Sequence, residues 1–188
     1  MSTYLRAREI SQEPVVTLAG EDVARIKDVV FDPMRGSITC FTLSGRGLLA
    51  GPLKRALLWK KVHALGPDAV MIRDEDSLEE DDEAARERIE APGGGSVIGA
   101  RVMTEEGSAL GTITDVIIET SGTPKVIGYE VGPTARTGQT VFLPVIRPKS
   151  VSEEMMVVPA CTADFTAGDP AGLPAAAEGL RRRLEQEA

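Results

Sequence analysis

The chain is poor in the residues that carry most enzyme chemistry. Its 188 residues include one histidine, two cysteines and one tryptophan, and aromatic side chains make up only 4%. A single histidine excludes paired-histidine metal sites such as HExxH. The histidine itself, His63, reads as an exposed position after a turn rather than an acid–base group. Cys40 and Cys161 lie in unrelated contexts and are too few for a disulfide framework or a cysteine metal site. No nucleophile elbow and no phosphate loop of the GxxxxGK[ST] or GxGxxG kind occurs. Gly45-Arg46-Gly47 reads instead as a hairpin tip. Nowhere do about 18 apolar residues run together, as a membrane-spanning helix requires. Met1 to Gln12 carries charges and lacks the apolar core of a signal peptide. These absences lead to the expectation of a cytoplasmic protein that is no enzyme and needs neither cofactor nor metal.

What is present is a repeat. Val23 to Asp32 reads VARIKDVVFD and Leu110 to Glu119 reads LGTITDVIIE, which sets Asp28 on Asp115. A period this long means two whole domains rather than a solenoid. At the same offset Gly20 meets Gly107 and Val15-Val16-Thr17 meets Val102-Met103-Thr104. One inserted residue further on, Thr39–Leu43 falls on Ile127–Val131, and Leu65–Ile72 then falls on Val151–Val158.

Each copy consists of short apolar runs rich in Val, Ile, Phe and Thr, cut by turn residues, the pattern of strands joined by hairpins. Turns at Met34-Arg35-Gly36 and Ser121-Gly122-Thr123-Pro124 break the longest run at the same place. Alternation in Thr39, Phe41, Leu43 and in Ile127, Tyr129, Val131 predicts one buried face for that strand. The fold class is therefore all-β: two small barrels in tandem, each closed or nearly closed so as to dispose of its edges. The expected domains are residues 1–73 and 97–160, joined by an acidic, glycine-rich linker at 74–96 and followed by a tail at 161–188. Cores this small bury only about 60% of the unfolded surface, so the barrels gain by packing together. In the tail, Ala175 to Glu187 predicts a short helix with Ala177, Leu180 and Leu184 on one side.

A glycine turn, a long strand bearing hydrophobic-x-Asp-Val (Ile26-Lys27-Asp28-Val29 and Ile113-Thr114-Asp115-Val116), a hairpin and a closing strand such as Gly66-Pro67-Asp68-Ala69-Val70-Met71-Ile72 together resemble the PRC-barrel family. The resemblance spans roughly Arg8–Arg73 and Val97–Val158. Copy one departs from the family pattern in having Val23-Ala24-Arg25 where a glycine usually precedes the long strand, whereas copy two keeps Gly111. That family is named for the cytoplasmic domain of the photosynthetic reaction-centre H subunit and recurs in a ribosome maturation factor whose barrel binds a ribosomal protein. The resemblance implies an adaptor that binds protein. A ribosomal or RNA-processing complex, a membrane electron-transfer complex and a second copy of the chain are the partner classes it suggests.

The net charge of −8 is unevenly spread. Met1 to Arg73 has a balance of +4, whereas Asp74 to Ala91 alone has −8. The acidic run, closed by Pro92-Gly93-Gly94-Gly95, predicts a solvated connector with helical turns around Ala84–Ile89, able to screen a basic surface on the first barrel. Overall acidity argues against sequence-specific nucleic-acid binding.

The repeat separates structural from particular residues. Gly20, Gly107, Gly36 and Gly122 are expected at turns. Asp28 and Asp115 are expected to be partly desolvated and to accept backbone N–H bonds, a structural role. Copy one alone has the segment Arg46 to Lys61, which joins Arg46, Lys54, Arg55, Lys60 and Lys61 to leucines and to Trp59; in copy two Val145 stands for Trp59 and Lys149 for His63. A large aromatic among cations is a common anchor for protein recognition. These six residues are the candidate protein-binding site.

Overall fold

The computed structural model describes residues 4–47, 50–80, 97–134 and 138–188. Two sheets account for most of them. The strands of the first are β2 (Pro14–Thr17), β3 (Asp22–Asp32), β4 (Ser37–Ser44), β5 (Pro52–Leu58), β6 (Val62–Leu65), β7 (Val70–Ile72) and β8 (Glu79–Glu80). Their spatial order is β6-β7-β2-β3-β4-β5-β8, a half-barrel. The second sheet holds β9 (Arg101–Thr104), β10 (Ala109–Glu119), β11 (Lys125–Gly132), β12 (Val141–Pro144), β13 (Ser150–Val151) and β14 (Met155–Val158) in the order β13-β14-β9-β10-β11-β12. Apart from β8, which has no counterpart strand, the orders are the same, and the parallel pair β2–β7 recurs as β9–β14.

The repeat extends to irregularities. Lys27 is an extra residue in β3 between the pairs Ile26↔Leu43 and Asp28↔Thr42, and Thr114 is the extra residue in β10 between Ile113↔Val131 and Asp115↔Glu130. Each bulge bends the long strand just before the repeated aspartate. Gly20 and Gly107 both have φ +85° and close the same turn by donating to Thr17 and Thr104. Gly36 and Gly122, at φ +64° and +74°, hold the following hairpins.

Phe41, Leu43 and Ile26 line the first interior and Tyr129, Val131 and Ile113 the second, as the alternation predicts. These interiors are one continuous apolar cluster. Phe31 meets Tyr129 edge-on across the junction at 5.8 Å between ring centres. The opposite face of β4 is also buried: Cys40 packs with Val30, Ala56 and Leu58. Cys40 is thus a small core residue.

The strongest tie between the halves is β1 (Tyr4–Arg6), which precedes the first barrel in sequence yet pairs with Ile117–Glu119 of the second. The helical turn Ala7–Ile10 then crosses back to β2, burying Ala7 and Ile10. The tail helix runs from Leu173 to Glu187, with Pro174 in its first turn, and packs Leu173 and Leu180 against the second barrel. Gly128, the counterpart of Cys40, is required there, because a Cβ would stand 2.4 Å from the Leu143 carbonyl and 2.7 Å from Leu173.

Two expectations need correction. The connector does not begin at Asp74 as a solvated run. Glu75–Ser77 form a 3-10 turn, Leu78 is buried in the core and Glu79–Glu80 pair with β5, so the first seven acidic-segment residues belong to the first barrel. Leu78 supplies the apolar anchor that charge counting overlooks. Asp28, moreover, is exposed, whereas Asp115 is fully buried. The expected turns at Ala84–Ile89 and the Gly93–Gly95 spacer lie outside the described residues.

Candidate protein-interaction surface

Strand β5 and the 3-10 turn after it carry most of the predicted site. Along β5, Leu53 and Leu57 face the barrel interior, and Arg55 shares their side of the strand at its outer edge. Lys54 is exposed. Trp59 opens the turn Trp59–Lys61 and is half-buried, tilted against Phe41 at 5.6 Å between ring centres. It packs against the core cluster while remaining partly open to solvent. Lys60 is exposed beside it, and Arg46 projects from the β4–β5 turn.

The cations divide into two groups. Arg55 is engaged: Nη1 donates to Glu75 Oε1 at 3.0 Å, and Nη2 donates to the carbonyls of Glu75 and Leu78 at 3.0 and 2.9 Å. Lys61 Nζ lies 3.9 Å from Glu79 Oε1. Arg46, Lys54 and Lys60 make no ion pair among the described residues. The expected screening of a basic surface by the acidic segment is thus visible at two of the five cations. An open cleft beside Trp59 is lined by Lys60, Lys61, His63, Arg73, Asp74 and Asp76. With carboxylates and cations both on its walls, it has no single-sign field. His63 is exposed on β6, with no carboxylate within ion-pairing distance among the described residues.

In the second barrel the equivalent position faces the first barrel. Val145, at the place of Trp59, reaches the β3–β4 turn of the first barrel, where a Cβ on Gly36 would stand 2.2 Å from Val145 Cγ1. The repeat therefore uses one copy of this surface to join its own halves.

Asp115 belongs to a different cluster, missed from the sequence. Its Oδ1 accepts from Val116 N–H at 2.9 Å and from Arg8 N–H at 3.3 Å, and its Oδ2 lies 3.1 Å from Arg8 Nε. Glu130 accepts from Arg6 Nε at 2.5 Å and from Thr114 Oγ1 at 3.1 Å. Burial raises the Asp115 carboxyl above its usual range, with the Val116 and Arg8 N–H groups and the Arg8 charge opposing. Among the described residues no crossing segment reaches Asp28, and its carboxylate accepts from Thr42 Oγ1 at 3.4 Å, with Lys27 Nζ at 3.8 Å. The sequence signal for the buried cluster is the pair Arg6 and Arg8 ahead of β2, and the nearby Glu9, which accepts from the Arg6 N–H at 2.6 Å, conceals it. The arrangement clamps the halves together.

A family model for the PRC-barrel domain matches residues 2–78 and 93–162. The chain belongs to the PRC-barrel family. Each match covers one sheet, and the first runs as far as Leu78, the residue that anchors the acidic segment in the core. PRC-barrel domains are in general protein-interaction modules. A search of curated proteins finds no match to this PRC-barrel chain. Among the described residues no helix is long and apolar enough to cross a membrane.

Proposed function

We propose that this tandem PRC-barrel protein is a non-enzymatic adaptor whose partner protein docks on the first barrel around Trp59, Lys60 and Lys54. One observation carries the reading. The repeat's two equivalent surfaces differ in use: Val145 is spent on the contact with Gly36, whereas the half-buried Trp59 stands beside Lys60 and Lys54, which make no ion pair among the described residues. A half-buried aromatic flanked by lysines without an ion pair among the described residues suits a partner surface that combines an apolar knob with acidic residues. The second barrel then acts as the platform that fixes the orientation of the first.

The test is crosslinking and affinity purification from the native host with full-length protein. Trp59→Ala with Lys60→Glu should abolish recovery of the partner while the thermal transition stays within a few degrees of wild type. Lys149→Glu in the second barrel should leave recovery unchanged. Recovery that survives the first pair of changes and is lost with the second would place the docking surface on the other barrel.

A further inference from the structure

We infer that the outer edge of β5 is a strand-addition site for acidic, leucine-anchored extended peptides, occupied in cis by Glu75–Glu80. The inference deepens the interaction reading above and rests on it, because it assigns the chemistry of the partner to the same face.

The resident segment shows what the edge selects. Its two-residue strand pairs Glu80 with Arg55 and Glu79 with Ala56. Strand β5 has seven residues, so most of its length takes no part in this ladder. Leu78 drops into the core just ahead of the ladder. The Arg55 guanidinium holds two main-chain carbonyls and one carboxylate, a grip that reads backbone shape and negative charge. Lys61 faces Glu79. Lys54 and Lys60 make no ion pair among the described residues and suit further acidic residues.

The second barrel shows that edge capture is a property of the repeat and charge selection is not. Phe142, the counterpart of Ala56, is bridged by Ala167 through reciprocal hydrogen bonds of 2.9 and 2.8 Å. Val141 stands where Arg55 stands, and the capping segment leads straight into the helix locked over Gly128. That cap meets the edge through Ala167, with no cation at the Val141 position to grip a carboxylate, and the packed helix behind it keeps it in place. An acidic cap held, among the described residues, by two ladder residues, one leucine and the Arg55 and Lys61 contacts exchanges with a partner that offers the same pattern, because main-chain edges accept any extended strand and pockets and charges supply the selection. The ligand class is a peptide with the order acidic-x-x-Leu-acidic-acidic.

The experiment uses the full chain with Glu75→Gln, Glu79→Gln and Glu80→Gln, which weakens the resident while keeping Leu78. The probe is a synthetic peptide with the sequence of residues 75–80, blocked at both ends, titrated to millimolar concentration and followed by amide NMR shifts and Trp59 fluorescence. Saturable shifts confined to β5 and the Trp59–Lys61 turn are expected, at least tenfold tighter than for wild type, whose own segment competes. A leucine-to-alanine peptide, or the added change Arg55→Gln, should lose tenfold or more, and raising the salt should weaken binding. If the triple variant does not fold, Glu79→Gln alone is titrated. No shift in a folded variant, or equal binding of a peptide with lysines for its glutamates, overturns the inference. A concentration-dependent dimer of wild type by light scattering would make a second copy the occupant and also overturn it. If the peptide fails while host-partner recovery still depends on Trp59 and Lys60, this inference falls and the adaptor reading stands.

Discussion

The two barrels share a backbone down to the placement of their bulges and differ in what lies over it. Asp28 and Asp115 occupy the same bulge, yet one is open to water and the other sealed beneath Arg8. Cys40 and Gly128 occupy the same strand position, yet one fills its own space and the other makes room for Leu173. The difference teaches that register is set locally by the alternating pattern and turn glycines, whereas the chemistry of a position is set by whichever distant segment covers it. The second barrel receives β1 and the C-terminal helix. The first keeps its Trp59 face open.

The comparison breaks hardest where the crossing segment is removed. Arg6→Ala with Arg8→Ala leaves Asp115 and Glu130 buried without their cations, and should cost about 3 kcal/mol at neutral pH in chemical denaturation. Lys27→Ala beside the exposed Asp28 should change stability by no more than about 0.5 kcal/mol. Equal costs would mean that the covering segment does not distinguish the copies.

Next come the hairpin glycines. Gly36→Ala meets both an unfavourable φ and the Val145 side chain, and should lose about 2 kcal/mol or more. Gly122→Ala meets only the backbone term, since nothing lies within 4 Å, and should lose about 1 kcal/mol. Comparison of the two midpoints measures the junction itself.

The aspartates sharpen the comparison through pH. Asp115→Ala should cost about 1–3 kcal/mol by orphaning the Val116 and Arg8 N–H groups, and Asp28→Ala should cost less than about 0.5 kcal/mol. Because burial raises the Asp115 carboxyl in the folded state, the native form binds its proton more tightly than the unfolded form. The stabilisation is complete below the ordinary carboxylate range and is lost as pH climbs through the raised value. Relative to Asp115→Asn, wild type should therefore gain stability on acidification through that window. A flat difference curve would show that Arg8 fully offsets the burial.

The smallest effect belongs to Tyr129, whose buried hydroxyl has no hydrogen-bond partner among the described residues and whose ionisation is pushed far up by burial and the nearby Asp32 charge. Tyr129→Phe should leave stability unchanged or raise it by up to about 1 kcal/mol, since no bond is lost. Destabilisation beyond that would reveal a bridging water between the barrels.

Strand order, hairpin glycines and the interior faces of β4 and β11 were legible because each follows from a period of two and a turn residue within a few positions. The C-terminal helix was legible from Ala177, Leu180 and Leu184, with its start two residues later than Leu173. The crossing of Tyr4–Ile10 onto β10 was not, since three extended residues carry no address. Nor was the docking of Glu75–Glu80, where charge density conceals Leu78. Of the predicted site, Trp59 and the cations were visible as a composition, but the engagement of Arg55 with two main-chain carbonyls depends on a segment twenty residues away and leaves no periodic trace.

The crossing strand also sets an order of events during synthesis. Tyr4–Arg6 are made early, but their seat is β10, and the Arg6 to Glu130 pair spans 124 residues. At ordinary translation rates the first barrel is complete for several seconds before that seat exists. Throughout that interval the strand waits outside the finished half. A ribosome that stalls between the two barrels therefore leaves exposed the one strand able to pair with another chain's β10.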